Sequence, residues 1–200
     1  MARPKVQQDQ VLLQSAMNLF WRNGFSSTGI RELESALGVK APSLYNRFGS
    51  KEALYQSVLA HYLETVVGWR IQHYLQAEQP LVGLREFFDT TYSYISDETP
   101  ALACLLVNTS LELDGCHHSF SEPLKKGASM IRIAFKATLQ NAQQLNQLSV
   151  DANIDNLAEF LYLGLQGLLV TSKVETDISK LKQKVDILFS LLPLTRNTTE

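Results

Sequence analysis

Scarcity narrows the reading of this chain before any motif does. Of its 200 residues only two are cysteines, Cys104 and Cys116. Two are too few for a disulfide framework, and with the adjacent His117 and His118 they make no zinc-ligand spacing. Reduced thiols in a cytoplasmic protein are the expectation, with no metal and no cofactor implied. No uninterrupted apolar run is long enough to cross a bilayer, and the N-terminal MARPKVQQDQ lacks the apolar core of a signal peptide, so no membrane partner is expected. No nucleophile, base and orienting acid assemble into a catalytic set, which disfavours an enzyme. Repeats, low-complexity tracts and long linkers are missing, and no stretch alternates for long with a period of two, which argues against β-structure. Strong net charge is missing too: the balance is -2 with 19% charged residues, so nothing global marks a polyanion-binding protein.

What is present is helical periodicity nearly everywhere, together with an uneven charge distribution. From Met1 to Tyr55 seven basic residues face four acidic ones, a net of +3, and the remainder carries -5. A basic first quarter before an acidic remainder is the asymmetry expected when one segment meets phosphate and the other does not. The pattern predicts an all-α chain of about nine helices: a three-helix N-terminal domain over residues 1–55 and a larger helical domain over 56–200. The weakest further boundary lies near Gln79-Pro80.

The first helix is predicted from Val6 to Asn23, with Val11, Leu12, Ala16, Leu19 and Phe20 on its buried face and Gly24 ending it in a left-handed cap. Thr28 is read as the cap of a short helix ending at Gly38, and Pro42 as the start of another that stops at Gly49. Ser50 caps a long fourth helix striped by Leu54, Val58, Tyr62, Val66 and Trp69. Helices opened by Pro80 and Pro100 follow, the second interrupted at Asp114-Gly115. Three more are predicted over Ser121–Leu148, Asp151–Val174 and Asp177–Leu192. The run FLYLGLQGLLV is apolar all round, so its helix must be buried on more than one side, inside the domain or against another copy of the chain.

One segment carries the function. TGIRELESALGVKAPSLYNRFGSKEAL holds two short helices separated by LGVK, the spacing of a helix-turn-helix, and Gly38 supplies the positive φ of its tight turn. Leu33, Leu37, Val39 and Leu44 form the small core that fixes the crossing of the two helices, so that the second can enter a major groove. Lys40, Ala41, Pro42, Ser43, Tyr45, Asn46 and Arg47 then lie near bases and phosphates, joined by Arg31 from the first helix. An amide such as Asn46 pairs bidentately with adenine and a guanidinium such as Arg47 with guanine; either side chain can equally hold a phosphate.

This stretch resembles the DNA-binding domain of the TetR family, whose pattern is matched by Thr28, Gly38-Val39, Leu44-Tyr45, Phe48 and Ser50-Lys51-Glu52-Ala53-Leu54. The resemblance implies a sequence-specific transcriptional regulator of double-stranded operator DNA, with Thr28, Tyr45 and Lys51 on phosphates and residues around Lys40 to Arg47 reading the operator. Two positions depart from the pattern. Glu34 stands where the family has alanine, which points to a changed helix packing or a side chain bent outward, and Lys40 replaces the usual cap of the recognition helix, trading about 1 kcal/mol of capping for a positive charge.

In the second half ACLLVNTSLEL is similar to a stretch in the ligand-binding domain of part of this family, which implies a homodimer joined through its last two helices. Phe160, Gly164, Gly167, Leu168, Leu181, Val185 and Leu188 are the expected interface, and a dimer is what sets two recognition helices roughly 34–36 Å apart. Phe87, Phe88, Tyr92, Cys104, Val107, Asn108, Leu111 and Phe135 are candidates for a pocket that binds a small apolar or amphipathic effector and releases a repressor from its operator; plain core packing explains the aromatic stripe equally. For Cys104 the competing readings are a small buried hydrophobe and a thiol sensor with Cys116 as its resolving partner. His117-His118 lacks the spacing that puts both imidazoles on one metal. A helical adaptor that keeps the helix-turn-helix without using it for DNA is the alternative of another class.

Overall fold

Helical periodicity becomes helix along the whole of the computed structural model, which describes residues 5–93, 95, 102–112 and 118–195. Among the described residues there are nine α-helices and no strand: α1 (Lys5–Asn23), α2 (Ile30–Leu37), α3 (Ala41–Phe48), α4 (Lys51–Tyr62), α5 (Pro80–Asp89), α6 (Leu105–Glu112), α7 (Ser121–Gln144), α8 (Ile154–Thr171) and α9 (Ile178–Ser190). None is long and apolar enough to cross a membrane. The Asp114-Gly115 interruption, Cys116, His117 and the Pro100 helix start lie outside the described residues. The chain gathers into two compact units, and their bounds differ from a single cut at 55/56: the first is Met1–Val67 with Cys104–Gly127, the second Gly68–Ala103 with Ala128–Glu200.

In the first unit α1 lies against α2 and α4, and α4 also meets α3 and α6. Leu12, Ala16, Met17 and Phe20 of α1 are buried, whereas Val11, expected on that face, is 52% exposed. An aromatic nest of Phe20, Phe25, Tyr55 and Phe120, with ring centroids 4.8 to 5.1 Å apart along the chain of contacts, closes the core. Edge-on and tilted pairs of this kind add to what their buried area contributes. Gly24 follows α1 at φ +83°, a left-handed conformation that an alanine adopts only with strain, and its N–H donates to the Phe20 carbonyl at 2.8 Å.

Beyond Tyr62 the fourth helix widens into π-helical turns at Leu63–Gly68 and Ile71–Leu75. A π turn takes up more residues than an α turn and so rotates whatever follows it. The buried stripe therefore leaves the regular spacing of Leu54, Val58 and Tyr62 and continues through Leu63, Val67 and Leu75; Trp69, expected on it, is 51% exposed.

In the second unit Phe87 of α5 meets Phe135 of α7 edge-on at 5.4 Å, Phe88 stacks on the same ring at 5.8 Å, and Phe88 also meets Phe189 of α9 at 5.5 Å. Tyr92 lies in the turn after α5, buried and bonded to Asp89. α7 stops at Gln144 rather than Leu148, and Asn146 takes the left-handed conformation at φ 54° just past its end. α8 begins three residues later than expected because the Asn153 side chain caps it by accepting the Asn156 N–H at 3.0 Å; Asp177 caps α9 in the same way through Ser179.

Candidate nucleic-acid interface

Leu33 of α2 and Leu44 of α3 are completely or nearly buried, and with half-buried Leu37 and Val39 they lock the two short helices together. The turn between them works as expected: Gly38 sits at φ 64° with open space where a side chain would project. With that crossing locked, α3 turns one face outward. Lys40, Pro42, Ser43, Tyr45, Asn46 and Arg47 are exposed there, as is Arg31 on α2, while Ala41 and Lys51 are half-buried.

Two of these cations are already engaged within the chain. Arg47 pairs with Asp9 of α1 and lies 5.8 Å from the Phe48 ring. Lys51 rests 4.5 Å above the Phe25 ring, a cation–π contact at the foot of α4. Ser50 caps α4 as expected, accepting the Ala53 N–H at 3.1 Å.

Thr28 requires correction. It is fully buried, and its hydroxyl donates to the Gly24 carbonyl at 2.6 Å, so it braces the turn after α1 from beneath instead of facing a phosphate. Nor does it cap α2: the N-cap is Gly29, whose N–H is taken by the Glu32 carboxylate at 2.8 Å.

The two departures from the family pattern turn out to be connected. Lys40 makes no capping bond, but the Ala41 N–H donates to Glu34 Oε1 at 2.7 Å. Glu34 neither bends away nor disturbs the packing; it reaches across the turn to the start of α3.

A residue that sequence reasoning missed stands behind this motif. The carboxylate of Glu112, at the end of α6, accepts the N–H groups of Phe25 (2.8 Å) and Ser26 (3.1 Å) in the turn between α1 and α2. A Cβ on Gly24 would lie 2.5 Å from that carboxylate, so the glycine is needed for space as well as for its backbone angle. One turn earlier on α6, Thr109 donates its hydroxyl to the Leu105 carbonyl at 2.7 Å, leaving its oxygen to accept from the Tyr55 hydroxyl, also at 2.7 Å. Burial pushes the Tyr55 phenol up to about 12, and the negative charge of Glu112 pushes in the same direction. Nothing within either segment signals these bonds, whose partners are 54 to 87 residues apart.

The pocket candidates separate. Phe87, Phe88, Tyr92 and Phe135 are buried in the second unit and, apart from Tyr92, packed ring against ring; Cys104, Val107, Asn108 and Leu111 belong to the first. Leu111 is 64% exposed on α6. Cys104 is a free, half-buried thiol whose sulfur receives the Tyr62 hydroxyl at 3.4 Å. Of the interface candidates, Leu168, Leu181 and Val185 are buried within a single chain, and Leu168 and Val185 line a groove between α8 and α9 together with Gly164, Gly167 and Leu188. Gly164 receives Leu188 of the same chain, its absent Cβ being 2.7 Å from a Leu188 methyl, whereas Gly167 faces open space. Phe160 is half-buried. The exposed large apolar side chains of these helices are Leu163, Val170, Ile178 and Ile187, with Val174 just beyond α8 and Leu191 just beyond α9.

A locked pair of short helices with a polar, partly basic outer face defines a helix-turn-helix DNA-binding protein. The chain belongs to the tetR family of bacterial regulatory proteins: residues 12–58 match that family's N-terminal domain and residues 80–188 match the tetracyclin repressor-like C-terminal domain. It is a DNA-binding transcriptional regulator. Among curated relatives, the HTH-type transcriptional repressor ComR of Escherichia coli (strain K12) is 28% identical over 193 residues, which is 96% of this chain and 91% of that protein. Among solved structures, a cysteine-substituted form of the TetR family regulator CifR, in complex with 26-base-pair double-strand operator DNA, is similar with a TM-score of 0.81 at 28% identity over 94% of this chain and 99% of that one. The reduced form of Escherichia coli NemR shares the fold, with a TM-score of 0.81 at 22% identity over 92% of this chain and 96% of its own.

Proposed function

We propose that this chain is a homodimeric repressor that holds an operator through Arg31, Lys40 to Arg47 and Lys51, and is released when a small apolar or amphipathic molecule displaces α6. The observation that carries the release is the Glu112 carboxylate: it ties the end of α6 to the backbone beside the helix-turn-helix through two charge-assisted hydrogen bonds. A ligand that favours another placement of α6 then biases the DNA-binding unit by the difference in its affinity for the two arrangements. Dimerisation is supported by the apolar side chains that α8 and α9 leave exposed. Leu163, Val170 and Val174 recur at helical spacing, Ile187 and Leu191 do the same on the neighbouring helix, and Gly167 permits close approach. The similar ComR and CifR proteins, a repressor and an operator-bound regulator, support the same reading.

The test is a mobility shift with the DNA upstream of the chain's own gene, followed by a screen of apolar and amphipathic compounds for release. Sequence-selective binding that Tyr45→Ala and Lys51→Ala weaken, and that at least one compound abolishes, is the expected result. Binding indifferent to sequence, or unaffected by both substitutions, would favour the adaptor reading.

A second reading has its own observation. The Tyr62 hydroxyl donates to the sulfur of the half-buried Cys104 at 3.4 Å, so a group added to that thiol must disturb its contact with α4. Under this reading modification of Cys104, immediately before the buried start of α6 at Leu105, is what displaces that helix. Cys104→Ser then keeps operator binding and loses the response to oxidants; an undiminished response eliminates the thiol.

A further inference from the structure

The hydrogen bonds at the start of α3 account for every donor of its first three residues. A helix leaves its first four N–H groups without helical partners. In α3 these come from Lys40 at the N-cap and from Ala41, Pro42 and Ser43. Pro42 has no N–H. The N–H groups of Ser43 and Leu44 both reach the Lys40 carbonyl, at 2.9 and 3.1 Å. Within the helix itself that leaves Ala41, whose N–H donates to Glu34 Oε1 at 2.7 Å in a half-buried setting. A serine or asparagine at position 40 would cap a helix by accepting from its second or third residue. Here the second has no donor and the third is already engaged. The N-cap side chain has nothing left to accept, so the position is open to a residue that cannot cap at all.

We infer that Glu34 is the positioning residue of the recognition helix, standing in for its N-cap from the preceding helix, and that this substitution is what frees Lys40 to act as a cation at the DNA surface. The inference rests on α3 being the helix that reads DNA and deepens that reading. Two opposed effects follow from placing a carboxylate here. Its charge repels phosphate, while its bond to Ala41 holds α3 at one angle and favours the helix N-terminus electrostatically. Lys40 next to it, exposed and without a capping bond, restores the positive charge at this end of the helix. The pair is therefore a trade across the turn: capping moves to α2 and the charge for DNA moves to the cap position.

Glu34→Ala, Glu34→Gln and Lys40→Ser separate these roles in the full-length protein. A glutamine keeps an oxygen that can accept from Ala41 but carries no charge; an alanine keeps neither. Hydrogen exchange of the Ala41 amide, measured on the free protein, is expected to accelerate about five-fold in Glu34→Ala, the size of a lost cap, and to stay near the parent rate in Glu34→Gln. Operator affinity is expected to fall by a similar factor in Glu34→Ala and to hold or rise in Glu34→Gln. Lys40→Ser leaves Ala41 exchange unchanged and lowers the slope of log affinity against log salt by about one. If Glu34 acts through charge alone, alanine and glutamine behave alike and both tighten binding, which would overturn the inference. Unchanged Ala41 exchange in Glu34→Ala overturns it as well. Because exchange is read without DNA, a parent that fails to select its operator refutes the DNA reading while exchange still decides the cap.

Discussion

Replacing Gly24 with alanine perturbs two things at once, and a second glycine separates them. Gly24 and Gly38 both occupy the left-handed region, at φ 83° and 64°. An L-residue there costs about 1–2 kcal/mol whatever surrounds it. At Gly38 that is the whole expected cost, since a Cβ would meet nothing within 4 Å. At Gly24 the new methyl would stand 2.5 Å from Glu112 Oε1 and 3.0 Å from the other carboxylate oxygen, so the carboxylate must withdraw. In withdrawing it abandons the N–H groups of Phe25 and Ser26. Ser26 is exposed and water replaces its partner; Phe25 is buried and loses its charge-assisted hydrogen bond to Glu112. A hydrogen bond to a charged group contributes about 1.5–3 kcal/mol, so Gly24→Ala is expected to cost about 3–5 kcal/mol in all. The assay is urea unfolding of both variants at one protein concentration, comparing midpoints at constant slope. Glu112→Ala closes the cycle: without the carboxylate, Gly24→Ala should cost no more than Gly38→Ala. Equal losses for the two glycines in the parent, or an excess at Gly24 that survives removal of Glu112, would refute the reasoning.

Three further outcomes follow from the same geometry. Leu163→Glu places a charge on the exposed apolar face of α8, where Leu163 is 67% exposed, and is expected to yield a folded monomer by analytical ultracentrifugation, whereas Leu181→Glu, at a fully buried position, should fail to fold. Arg85 and Lys182 bond to Asp186 at 2.6 and 3.0 Å and hold its carboxyl below the usual carboxylate range. A depressed folded pKa stabilises the protein above the ordinary value and is lost as pH falls through the depressed one, so Asp186→Asn should flatten the acid limb of a stability–pH curve below about pH 4. Tyr55 has the opposite sign: its phenol is raised from 10.0 to about 12, so its contribution is complete below the ordinary value and disappears as pH rises through that interval. Tyr55→Phe should therefore flatten the alkaline limb in the same unfolding measurement.

Much of the DNA-binding unit is legible without coordinates because its determinants are local. The turn at Gly38, the apolar positions of Leu33 and Leu44 and the cap at Ser50 act over a few residues, within the reach of helical periodicity and capping chemistry. The link between Glu34 and Ala41 spans seven residues and was half legible. The sequence marks two unusual residues, but only the crossing of α2 and α3 brings the carboxylate to the amide. Thr28 shows the limit of residue type as a guide: a threonine before a helix reads as a cap, yet the turn after Gly24 draws its hydroxyl inward to a carbonyl.

Composition and periodicity alone determined the all-α class, the approximate helices, the helix-turn-helix and its outward residues, because each depends on neighbours in the chain. Tertiary structure decided which apolar residues face their own chain. α8 is apolar on several sides, and periodicity cannot say which side α9 covers; packing buries Leu168, Leu181 and Val185 and leaves Leu163 and Val170 outside. The π-helical turns likewise rotate Trp69 out of a stripe that regular spacing would have buried. Tertiary structure also decided what holds the DNA-binding unit from behind: the bonds from α6 to the turn after α1 join residues 86 and 87 positions apart. A contact at that separation depends on where two elements are packed, which no local pattern encodes.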